Sequence, residues 1–95
     1  MKSSNSFFLP QEVGVIFHHW HNGMDAIYGV GSLAIAGKPI SKEYAQEAIS
    51  LLVNCKDYWT MRSPSKEGSD NIQELAMLIE LLERNITLLS LTTNS

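Results

Sequence analysis

All three histidines of the chain fall in one short run, Phe17-His18-His19-Trp20-His21, and chemistry should be sought there first. On a helix, His18 and His21 stand at i and i+3 and project in similar directions, with Asp25 one turn beyond His21. Two imidazoles and a carboxylate suit zinc or another transition metal. Such a site needs a further ligand from another element, and Glu43 and Glu47, one turn apart, are the obvious donors. The His-Glu-x-x-His pattern and the Glu-x-x-His pairs of di-metal bundles are both missing from the sequence. A histidine-rich polar face beside a buried Trp20 explains the run without any metal. No cofactor and no metal are therefore assigned. His18, His21 and Asp25 remain the alternative.

A second constellation, Tyr58, Trp59, Arg62 and Lys66, offers two aromatic rings, a guanidinium and an ammonium at a helix end. Together these could grip an anionic or aromatic ligand. A solvated loop whose basic residues complement the negative end of the helix explains them as well. Nucleophilic chemistry has less to build on. Cys55, the only cysteine, lies mid-helix on an apolar face with no histidine in helical reach. A Gly-x-Ser-x-Gly elbow does not occur, and Gly29-x-Gly31 lacks the rest of a dinucleotide fingerprint. The sequence assembles no catalytic set, and the expectation is a protein that is not an enzyme.

Stepping outward from these residues, the strongest pattern is the apolar seam Ile72, Leu75, Ile79, Leu82, Ile86 and Leu89, at helical spacings of three and four. Leu78, Leu81 and Leu88 lie on a neighbouring face of the same helix, more than one partner helix would cover. These three leucines are the predicted self-association residues. Upstream, Val13, Ile16, Phe17, Trp20, Met24, Ile27 and Tyr28 keep helical phase across the turn signal Asn22-Gly23, which predicts one continuous helix. The small residues Gly29, Gly31, Ala34 and Ala36 stay helical only where another helix comes close. Gly37-Lys38-Pro39 is a stop, and Ser41 caps the next helix. Tyr44, Ala48, Leu51, Leu52, Cys55, Tyr58 and Trp59 form that helix's buried face. Asp70 and Gln73 have capping-box spacing before the last helix.

The expected fold is all-α: a single domain over 1–95, with a flexible arm at 1–9, helices at about 10–36, 42–61 and 71–91, and a loop at 62–69. It is a helical hairpin plus a third helix, a small three-helix bundle assembled as a homo-oligomer. A chain of 95 residues buries only a modest core, for which oligomerisation compensates. The net charge of −3 and seven scattered Lys and Arg argue against nucleic acid as a partner. The opening residues have no signal-peptide core and no apolar run has spanning length, so no membrane is expected and the location is read as cytoplasmic. The expected function is that of a small helical adaptor or regulator, acting through protein contacts and self-association. A ligand- or metal-binding protein is the alternative.

Overall fold

The computed structural model describes residues 5–62 and 66–93. Helix α1 spans Gln11–Trp20 and follows Pro10, whose carbonyl accepts from Val13 N–H at 3.2 Å. A proline suits this place because the first turn has no use for its missing N–H. Helix α2 spans Ala26–Ala36. Between them the chain turns sharply, with His21 extended and Gly23 at φ +89°. The expected single helix over 10–36 is therefore two. Periodicity favoured continuity, but two local features outweighed it. Gly23 enters the left-handed region without strain. Asp25 then restarts the helix as its N-cap, accepting from Tyr28 N–H at 3.0 Å through Oδ1 and from Asn22 N–H at 3.1 Å through Oδ2.

The turn lays α1 and α2 side by side, and the small residues let them approach closely. A Cβ on Gly14 would lie 2.6 Å from the Gly31 carbonyl oxygen, and one on Gly31 would lie 2.8 Å from that of Gly14. Gly29 accommodates the Tyr44 side chain of the following helix in the same way. The glycines thus keep α2 helical by admitting neighbours, which offsets their poor propensity. α2 closes in a Schellman motif: Gly37, at φ +71°, donates to Ala34 at 3.1 Å and Lys38 to Leu33 at 2.9 Å.

Beyond Pro39, Ile40–Ser41 (β2) pairs antiparallel with Ser6–Phe7 (β1), and Lys42 N–H donates to the Asn5 carbonyl at 2.7 Å. The expected flexible arm is thus corrected over residues 5–9. Its side chains alternate, Phe7 and Leu9 buried in the core and Phe8 63 % exposed, the two-residue period of extended chain. Residues 1–4 lie outside the described chain.

Helix α3 covers Lys42–Thr60, capped by Ser41 Oγ accepting from Tyr44 N–H at 3.1 Å. Helix α4 covers Lys66–Thr93. It begins earlier than the expected 71, so Asp70 is interior and pairs with Lys66 at 3.4 Å instead of capping. Gly68, inside this first stretch, is buried, and its packing overrides a composition that reads as loop. Of the expected loop 62–69, residues 66–69 are helical and 63–65 fall outside the described chain. Four helices thus replace three, arranged as two hairpins, α1–α2 and α3–α4, joined mainly by α2 on α3. The molecule measures 50 × 25 × 19 Å. Phe17, Ile27, Val30, Ile40, Leu52, Leu75, Leu78 and Leu82 are its fully buried centre.

Candidate functional site

The α1–α2 turn determines what the histidines can do. His18 stacks on Tyr28 with ring centroids 4.6 Å apart, and His21 meets the same ring edge-on at 5.0 Å. The two imidazoles are 6.3 Å apart and nearly perpendicular. His18 Nε2 shares a hydrogen bond of 3.0 Å with Ser32 Oγ. Asp25, the proposed third ligand, uses both carboxylate oxygens on backbone N–H groups. Burial raises its pKa, but the bonds from Tyr28 and Asn22 and the nearby His21 outweigh that and hold it below the ordinary value of 3.8. Among the described residues, no three His, Cys, Asp or Glu side chains converge as a metal site, Glu43 and Glu47 included. The histidine cluster is a packing joint around Tyr28.

Sequence reasoning missed Ser32, because its pairing with His18 exists only once α2 folds back on α1. A serine beside a histidine invites a nucleophilic reading, yet Ser32 sits inside α2, where neighbouring N–H groups serve the helix. Cys55 is half-buried on α3, and its thiol is pushed up by burial and by the charge of Asp25. A raised thiol pKa means little thiolate and low reactivity.

At the end of α3, Arg62 lies over the Tyr58 ring at 4.8 Å, and Tyr58 meets Trp59 edge-on at 5.5 Å. Lys66 points along its own helix to Asp70. The four groups do not close around a common point: Arg62, just past the end of α3, folds back on Tyr58, and Trp59 packs against the core. Tyr58, expected on the buried face, is 54 % exposed.

The three predicted self-association leucines separate. Leu78 is fully buried in the chain's own core and has no surface left for another copy, so that assignment is corrected. It lies one turn from Leu75 and Leu82 on the inward face, so the helix is turned further toward its own chain than the seam suggested. Leu81 is half-buried and Leu88 is 52 % exposed. Two residues not singled out before lie on their face: Met77 at 46 % and Leu91 at 63 % exposure. Met77, Leu81, Leu88 and Leu91 follow at helical spacings, with Arg84 between them, paired to Glu80 at 3.2 Å.

Beside this stripe, Gln46 and Ile49 of α3 face Glu83, Ile86 and Thr87 of α4 across an open groove of about 430 Å³. Trp20 ties the opposite hairpin to α4 by donating from Nε1 to Glu74 Oε1 at 2.8 Å. No described helix is long and apolar enough to cross a membrane. Comparison with known proteins leaves the site to speak for itself: no family model, curated protein or solved structure matches the chain.

Proposed function

We propose that the protein is a non-enzymatic helical interaction module that works through protein contacts made by the outer face of α4. One observation carries the reading: Met77, Leu88 and Leu91 are exposed and Leu81 half-buried at helical spacings on the face of α4 turned away from its buried leucines, with Arg84 among them. Scattered exposed apolar residues are normal, whereas a row of them along a helix marks a contact surface. Each of these partly covered side chains contributes about 1 kcal/mol on full burial, which the cost of association largely offsets, so a contact here is weak unless its surroundings add to it. Either a second copy of the chain or another protein covers such a face. The exposed Glu80–Arg84 pair that interrupts these residues adds little to stability.

The test is photo-crosslinking from benzoylphenylalanine placed at position 88, with position 43 on α3 as control. Position 88 is expected to give a discrete crosslinked protein band and position 43 none. Equal labelling at both positions, or none at either, refutes the proposal.

A further inference from the structure

We infer that two copies of this chain exchange their N-terminal segments, residues 5–20. The α1–α2 turn then opens, and one helix runs from Gln11 to Ala36. This inference stands apart from the face of α4 and rests on what holds the segment in place. β1 pairs with Ile40–Ser41, and Phe7, Leu9 and Phe17 fill the core. Gly14 lies against Gly31, Gln11 Nε2 donates to the Ile35 carbonyl at 3.1 Å, and Trp20 Nε1 donates to Glu74. Each of these contacts reaches past the turn to the rest of the chain. A second copy offers the same partners, so an exchanged pair keeps them all and alters only residues 21–25.

Those residues are built for two conformations. Closing the turn takes Gly23 at φ +89° and the Asp25 cap, which accepts from Asn22 and Tyr28 N–H. It also leaves Met24 85 % exposed. Met24 stands four residues after Trp20 and four before Tyr28, on the apolar side of a helical phase that continues across the turn. Opened, the segment makes helical backbone bonds in place of the cap, and Met24 rejoins the side of Trp20 and Ile27. The unbroken phase across Asn22-Gly23 is the register that this conformation requires. Short hinges of this kind invite exchange. Gly23 disfavours the open helix and the Asp25 cap favours the closed turn, so the monomer dominates in dilute solution and the exchanged dimer grows with concentration.

The experiment uses the full chain in a Cys55→Ser background, refolded from urea at low and at high protein concentration. Light scattering reads the mass. Spin labels on cysteines at 12 and 36 read the hairpin, in labelled chains diluted with unlabelled protein. The labels lie close in the closed hairpin, where the Gln11–Ile35 contact joins the same ends, and about 36 Å apart along one continuous helix. A dimer with the long distance is expected at high concentration, beside a monomer with the short one. Nothing stands near a Cβ at position 23, so alanine there is opposed by the positive φ alone. Gly23→Ala should therefore raise the dimer association constant about a hundredfold, roughly tenfold for each of the two hinges. Two glycines inserted after Gly23 should abolish the dimer, and Leu88→Lys should leave it intact. A dimer with the short distance, dissolved by Leu88→Lys, overturns the inference and supports α4 as the contact face. Monomer at every concentration, in the parent and in Gly23→Ala, overturns it, as does a dimer fraction that Gly23→Ala leaves unmoved. Should circular dichroism show the variant unfolded, the parent chain's distance at high concentration decides alone.

Discussion

A single methyl group is the smallest probe of the contact between α1 and α2. Gly14→Ala places a carbon 2.6 Å from the Gly31 carbonyl, a backbone atom that cannot rotate aside. The helices must part, at a cost of about 1–3 kcal/mol. In a domain this size that lowers the melting temperature by roughly 4–8 °C per kcal/mol, read by thermal denaturation. Asp25 is a second test at this scale. Its folded pKa lies below the unfolded value, so the carboxylate stabilises the fold above the unfolded pKa, and the contribution fades as pH falls through the folded one. Urea titrations should show Asp25→Asn less stable than wild type at neutral pH, with the gap closing at acid pH. A gap that widens toward acid would contradict the assigned sign.

At the scale of elements, the two faces of α4 should respond oppositely to the same change. Leu78→Ala opens a cavity in the centre and should cost about 2–5 kcal/mol, whereas Leu88→Ala should change stability by less than about 1 kcal/mol. The N-terminal strand is the other element to probe. Phe7→Ala should cost about 3 kcal/mol in urea denaturation, because Phe7 is a core residue and not part of a loose arm. Much of this was legible in the sequence. The Gly37-Lys38-Pro39 stop and the Ser41 cap stand where they were read, because caps are local chemistry. The turn at Asn22-Gly23 was visible too but was outweighed by a stripe that stays in phase on both sides of it. Phe7 and Leu9 could not be placed, since their partners at Ile40–Ser41 are far along the chain and a two-residue strand leaves no periodic signal.

At the scale of the whole molecule, the two hairpins explain why the candidate sites came out as they did. Folding α2 back on α1 aims His18 and His21 at Tyr28 and commits Asp25 to capping, so a metal site drawn on one straight helix has no geometry to inherit. No pattern on α1 alone could reveal Ser32, which belongs to the facing helix. The seam on α4 announced a helix with excess apolar surface. Which leucines were the excess depended on how α4 packs on α3 and on the β1 strand, and Leu78 passed to the core while Met77 and Leu91 came to the surface. The exposed apolar residues of α4 lie on the helix whose side chains account for the net charge of the chain.

Cysteine footprinting tests that division most directly. In a Cys55→Ser background, single cysteines at 78, 88 and 91 are labelled with maleimide, in the purified protein and in the cells that make it. The account predicts slow labelling at 78 in both settings, and fast labelling at 88 and 91 in isolation that is suppressed in the cell. Labelling at 88 and 91 that is equally fast in both settings, or at 78 as fast as at 88, would contradict it.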